Sequence, residues 1–255
     1  MDMSWPGFTM IVIALAGAGV GWFYRVLVQR YCRHPDALPP PGEGAFSLSR
    51  LPFLPPILIP LLCLAVYGRQ LSRGESGNLT LAGEILLLGV GWFAAGVDWE
   101  TFLIPDPLSL GGTLLALVFP LLLPGWPLPW RDAGVGFASV LVLAGGLNLV
   151  GCLVLRRSLA RARAKGFDIT TPMGWGDVKL FAFYGGFLGW QGGVATLFGA
   201  CLTAALAGSA LRLMTGKAGE GGGSLRERWE KGEAVFPLGP FIVFAGTLVW
   251  WIQPS

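Results

Sequence analysis

The sequence predicts an all-α polytopic membrane protein with about eight transmembrane helices. Three observations carry that reading. Of the 255 residues, 53% are hydrophobic. Only 13% are charged, where soluble domains carry about a quarter. The apolar residues fall into runs of helical length, separated by charged, glycine-rich or proline-rich stretches. The mean hydropathy of +0.62 agrees. The chain reads as a single integral membrane domain over residues 1–255.

The first run spans residues 8–28. Asp2 precedes it, and Arg25 and Arg30 stand at its end. A signal peptide has the opposite order, positive charge first and a small-residue cleavage site last, so this run reads as an uncleaved span with its N-terminus outside. Residues 31–50, with Pro39, Pro40, Pro41, Gly42 and Gly44, read as an irregular loop. The second run, 54–67, is short and holds Pro55, Pro56 and Pro60. The third, 79–97, carries Glu84 and stops at Asp98.

Residues 98–107 hold Asp98, Glu100 and Asp106 with Pro105 and Pro107, a composition that predicts a turn or re-entrant loop. The fourth run is 108–123. The loop 124–132 carries Trp126 and Trp130, residue types favoured at the membrane interface. The fifth run, 133–155, leads into the basic segment 156–165. The sixth, 177–190, begins at Asp177. Gly189-Trp190-Gln191-Gly192-Gly193 reads as a tight connection to the seventh, 194–214. A glycine-rich charged loop, 215–234, precedes the eighth, 236–251.

With the N-terminus outside, the inner loops hold Arg30, Arg33 and Arg50; Arg156, Arg157, Arg161, Arg163 and Lys165; and Lys217, Arg226, Arg228 and Lys231. The outer loops hold Arg69, Arg73 and Arg131. This is the positive-inside bias. It brings Asp98, ending the third run, and Asp177, opening the sixth, to the same cytoplasmic face.

Several chemistries are excluded. No Lys/Arg-rich tract with interleaved aromatics speaks for nucleic acid. Cys32, Cys63, Cys152 and Cys201 show no C-x-x-C spacing, so no metal site is predicted. The single histidine, His34, stands in the proline-rich loop, and there is no H-E-x-x-H.

What remains is a pair of carboxylates. An intramembrane carboxylate is a functional-site candidate. Two of them can activate water against an amide: one, ionised, takes a proton from the water, and the other, protonated, hydrogen-bonds the carbonyl and then protonates the leaving amine. Two carboxylates in one site do not both ionise readily, so they share a proton and titrate as a unit. Gly174 and Gly176 ahead of Asp177 allow close backbone approach. Against this stands the ordinary helix-end aspartate that caps a helix or faces water. An ion-coupled transporter would also place carboxylates near a membrane face, and a non-catalytic membrane scaffold is a further alternative. Lys179 is two residues past Asp177 and so lies on another helix face, suited to snorkelling toward the interface or a lipid phosphate. Glu84, Glu100 and Asp106 are weaker candidates.

At these residues the sequence resembles the type IV prepilin peptidases of the G-x-G-D aspartyl protease class. Gly174-Trp175-Gly176-Asp177-Val178-Lys179 is similar to the G-x-G-D-x-K motif. Val97-Asp98 followed by Leu103-Ile104-Pro105-Asp106 resembles the motif around the first catalytic aspartate. Phe236-Pro237-Leu238-Gly239-Pro240-Phe241 resembles the P-F-G-P-F opening of the last span, and Gly21-Trp22-Phe23 with Arg25 and Arg30 loosely resembles the end of the first.

The resemblance implies an intramembrane aspartyl protease architecture in the bacterial inner membrane, with Asp98 and Asp177 catalytic and the site facing the cytoplasm. It implies Gly174, Gly176, Lys179, Pro105, Asp106, Pro237, Gly239 and Pro240 as supporting motif residues. The implied substrates are prepilins or type II secretion pseudopilins, cleaved after the glycine ending a short basic leader. Proteolysis would need no cofactor. Many members also N-methylate the new N-terminus with S-adenosylmethionine, and carry paired C-x-x-C cysteines in a longer first cytoplasmic loop. Residues 31–50 hold only Cys32, in place of that zinc-binding subdomain.

Cysteines introduced at Ser158 and Ser224 are expected to react with a membrane-impermeant thiol reagent only from the cytoplasmic side. Labelling of both from the outside would invert the orientation.

Overall fold

Inside a bilayer, every backbone N–H and C=O must find its partner within the chain, which favours helices for apolar runs. The computed structural model describes Val26 and residues 63–69, 78–101, 104, 106–123, 126–157, 159–160, 171–215 and 237–253. Among these residues there are helices and no strands. The five long helices are α1 (Asn78–Thr101), α2 (Asp106–Leu122), α3 (Trp130–Val154), α4 (Trp175–Thr215) and α5 (Gly239–Ile252). A shorter helical stretch covers 63–69. Among the described residues, three stretches are long and apolar enough to cross a membrane: Thr80–Trp99, Trp130–Val154 and Trp175–Ala210. The first expected run apart from Val26, the early part of the second, Cys32, His34, Pro105 and the loops 31–50, 161–170 and 216–236 lie outside the described residues.

The third to eighth expected runs coincide with these helices, with shifted ends. Helix α1 continues through Asp98 to Thr101, α2 begins at Asp106, and α4 begins at Trp175. The predicted turn is therefore shorter than residues 98–107.

Helix α4 is two arms. Gly189, with φ 73° and ψ 178°, lies in a region open essentially to glycine alone and interrupts the helix. A methyl group placed on Gly193 would lie 2.7 Å from the Cα of Gly185. Residues that far apart along one helix would be separated by about 12 Å, so the chain folds back at Gly189. Arms 175–188 and 190–215 are thus antiparallel neighbours.

Helix α3 joins them at the same place. Ala133, Gly136, Val140, Ala144 and Asn148 form its buried stripe, spaced three and four residues apart. A methyl group on Gly136 would collide with the carbonyl oxygen of Gly185, and one on Gly185 with that of Gly136. The two backbones touch without a side chain between them. In lipid, where hydrophobic burial does little to join helices, such close van der Waals packing is a main source of association.

The third layer is α5, packed against α4, with α1 packed against α5. Glu84, Gly91 and Asp98 recur every seven residues, or two turns, along α1. At one end the Asp98 carboxylate meets Gly239, the first residue of α5. In the middle, the fully buried Tyr184 ring lies against Gly246, with its hydroxyl beside Gly91. At the far end, Trp250 Nε1 donates to Glu84 Oε1 at 3.4 Å. Arg69 Nη1 lies 3.5 Å from the same oxygen, and its guanidinium stacks 4.1 Å from the Trp250 ring centroid. Arg69 Nη2 also donates to the Gln253 carbonyl, and Gln253 Nε2 donates to the Leu188 carbonyl. Trp126, expected at the interface, is buried instead, with its ring edge-on to Phe119 and tilted against Phe187. Gly83 leaves the space it fills.

Gly185→Leu is expected to destabilise the protein in detergent by roughly 1–3 kcal/mol, the usual cost of overpacking, read as a lowered unfolding temperature. Gly145→Leu, whose added carbon meets nothing within 4 Å, is the matched control and should be tolerated. Equal behaviour of the two would remove the backbone contact as the basis of α3–α4 packing.

Candidate active site

Asp98 occupies the last turn of α1 and is 4% exposed. A carboxylate so buried needs donors. The one supplied by α5 is the N–H of Gly239, which donates to Asp98 Oδ2 at 2.9 Å. The first amides of a helix have no intrahelical partner and carry the positive end of its dipole, so they suit an anion. The local sequence builds this start. Leu238 precedes the helix, and its carbonyl accepts from Phe241 and Ile242. Pro240, next in line, has no N–H to leave unpaired. Gly239 must be a glycine: a methyl group there would lie 2.7 Å from Asp98 Oδ2 and 3.0 Å from its Cβ.

Asp177 comes from the opposite direction. Segment 171–174 is first tied to the end of α3. Asn148 Oδ1 accepts from the Met173 N–H at 3.2 Å, Thr171 Oγ1 donates to the Met173 carbonyl at 2.7 Å, and Pro172 rests on Gly151. Gly174 then starts α4. Its carbonyl accepts from the Asp177 and Val178 amides, and its own N–H donates to Asp177 Oδ2 at 3.2 Å. This is one half of a capping box, the third helical residue reaching back to the cap. The half-buried Asp177 is thereby brought to the end of the helical layers where Asp98 stands, since Gly176 beside it packs on Ile104 of the segment that leaves α1.

Both expected carboxylates therefore sit at one end of the helical layers, each accepting a backbone N–H at a helix start. Gly174 and Gly239 supply those amides. Gly176 lies against Ile104, where a methyl group would come 2.9 Å from the Ile104 Cβ. Pro240 forms the first turn of α5, Pro237 precedes it half-buried, and Lys179 is paired with Asp106. Pro105 lies outside the described residues, and the Glu100 side chain is not described. Glu84 is at the other end of α1, away from the pair. Asn148 is a residue that run-end reasoning missed. Its signal was available: an amide inside an otherwise apolar run needs a partner.

The arrangement offers two acids, two helix-start amides and no described cluster of metal-ligating side chains around them. A model of the type IV leader peptidase family matches residues 85–209, a segment that contains both aspartates. A prepilin leader peptidase/N-methyltransferase of Klebsiella pneumoniae is 34% identical over 114 residues, which is 45% of this chain and 43% of that protein. The matched part thus spans less than half the length of this relative. No solved structure matches the chain. The matched segment ends before α5, so the Gly239 contact to Asp98 comes from outside the matched residues.

Gly239→Ala should push α5 away from Asp98. Alanine is otherwise the better helix former, by up to about 1 kcal/mol, so a fall in unfolding temperature would report the collision itself. Pro240→Ala, which adds no atom against the carboxylate, should change stability far less. A Gly239→Ala protein as stable as wild type would exclude a tight Asp98–Gly239 contact.

Proposed function

We propose that the chain is an intramembrane aspartyl endopeptidase that removes the basic leader from type IV prepilins or type II secretion pseudopilins at the cytoplasmic membrane face. The observation that carries the proposal is that Asp98 and Asp177 stand at the same end of the helical layers, each held by a helix-start amide, with the segment leaving the Asp98 helix packed on Gly176 beside Asp177. The family model matched at residues 85–209 and the name of the Klebsiella pneumoniae relative support the same reading.

In this scheme the two carboxylates share one proton. The ionised member draws a proton from water as the water attacks the peptide carbonyl carbon. The protonated member hydrogen-bonds the carbonyl oxygen and then delivers its proton to the leaving amine. Acid and base belong to the pair and not to one residue. The Gly174 and Gly239 amides hold one oxygen of each carboxylate, which fixes the direction of the others. A site at the end of membrane helices suits a substrate whose leader is in water and whose following segment is in lipid. S-adenosylmethionine would serve the methyl transfer named in the relative; the residues described around the carboxylates suit water and a peptide carbonyl, and the proposal assigns none of them to that cofactor.

Asp98→Asn and Asp177→Asn are each expected to lower cleavage of a prepilin peptide by roughly 10²–10⁴-fold or more while leaving inserted, folded protein. The double variant should be little worse than either single one, because either loss breaks the proton-sharing unit. The measurement is leader release in detergent, with unfolding temperature as the control for folding. Near-normal cleavage by either single variant would rule the mechanism out.

A further inference from the structure

We propose that Lys179 and Asp106 are a positioning pair that holds Asp177 turned toward Asp98; the inference rests on the peptidase reading for its catalytic consequence only. The two side chains form a salt bridge across 73 residues of sequence. Asp106 stands in the first turn of α2, where the helix dipole favours an anion. Lys179 stands near the start of α4, where the dipole disfavours a cation, so α4 itself gives the charge no reason to be there. The partner on α2 does.

The placement of the pair matters more than its strength. Ile104 and Asp106 belong to the stretch running from Asp98 to α2, while Gly176 and Lys179 flank Asp177. Ile104 lies on Gly176, and Asp106 holds Lys179. The segment leaving the Asp98 helix is therefore fastened to the start of the Asp177 helix at two points, one on each side of Asp177 in sequence. Residues two apart on a helix are turned by about 200° from each other. Lys179 faces Asp106 on α2, so Asp177 is turned away from α2. Holding Lys179 to Asp106 resists rotation of the first turns of α4 about their axis. That rotation would swing Asp177 away from Asp98.

Lys179 is 29% exposed and Asp106 65%, so the pair adds little to global stability. Its effect is on geometry, where a misplacement of about 1 Å can cost on the order of a hundredfold in rate.

The test compares wild type, Asp106→Asn, Lys179→Met, the double variant and the exchanged pair Asp106→Lys with Lys179→Asp. Cleavage of a prepilin peptide by purified protein in detergent gives kcat and KM separately. Each single variant should lower kcat by roughly tenfold, with KM changed less than about twofold. The double should be no worse than the singles, and the exchanged pair should recover part of the loss. Dipolar EPR between spin labels at the exposed Leu110 and Trp175 should give a narrow distance distribution in wild type and in the exchanged pair, and a broadened one in the singles.

An unchanged distribution in the singles would overturn the proposal, whatever the activity. So would a rise in KM at constant kcat, which would make Asp106 a contact for the leader. A loss confined to Lys179→Met and dependent on anionic lipid would make Lys179 a headgroup anchor and overturn it too. Broadened distances in the singles, with a wild type that cleaves nothing, would leave the clamp standing and remove the peptidase reading instead.

Discussion

The structure depends on how a carboxylate is kept in a place with little water. Asp98 has to be met by donors, and in an apolar environment helical backbone offers free ones only at helix starts. Gly239 supplies such an amide. That single contact dictates much else. Helix α5 must begin at the level where α1 ends, so the two helices are antiparallel. The residue at the contact must lack a side chain. The next residue is proline, which removes a second unpaired amide from the same crowded place. Asp177 obeys the same rule with the start of its own helix, through Gly174.

Such contacts work only if the helices keep their register along their whole length. Two turns from Asp98, the Tyr184 ring fills the space left by Gly91 and Gly246. Two turns further, Glu84 meets Arg69 and Trp250. A buried ion pair is costly to desolvate, and aliphatic side chains often serve stability as well or better. What the far-end cluster adds is directionality. Through Gln253 and Leu188 it ties α1, α5 and the turn at Gly189 to one another at a fixed height. A slip of one turn in α5 would break this cluster and move Gly239 by about 5 Å from Asp98. Glycine contacts between α3 and the first arm of α4 are equally close, since a backbone-to-backbone contact leaves no side chain to adjust.

The parts legible in the sequence are those written in composition and at run ends. Hydropathy gives the helices, the Gly189–Gly193 stretch gives the fold-back, and the positions of Asp98 and Asp177 at run ends give a shared face. The sequence also tells that Lys179 points away from Asp177. It does not tell what lies there, because Asp106 reaches Lys179 only once α2 packs beside α4. Trp126 misled for a similar reason. A tryptophan between two membrane runs suits the interface, but Gly83 opens a space on α1 that takes the ring. The many glycines look alike in sequence. Only packing separates Gly136 and Gly185, which touch, from Gly134 and Gly145, which meet nothing within 4 Å.

Asp177 by itself has a simple explanation, since a carboxylate that reaches back to the Gly174 amide is a helix cap. That explanation fails for the pair. A cap gains nothing from a second carboxylate nearby, and like charges in a shielded place oppose each other. Asp98 is the more buried of the two, and α1 could end on an aliphatic residue without that repulsion. The amide of Gly239, the missing side chain beside it and the proline after it all serve to keep Asp98 where it is. A fold that commits Gly174, Gly239 and Pro240 to holding two acids departs from what local stability would set, and such departures are expected where function resides. The rest of the layered core can then be read as the means of holding that exception in place.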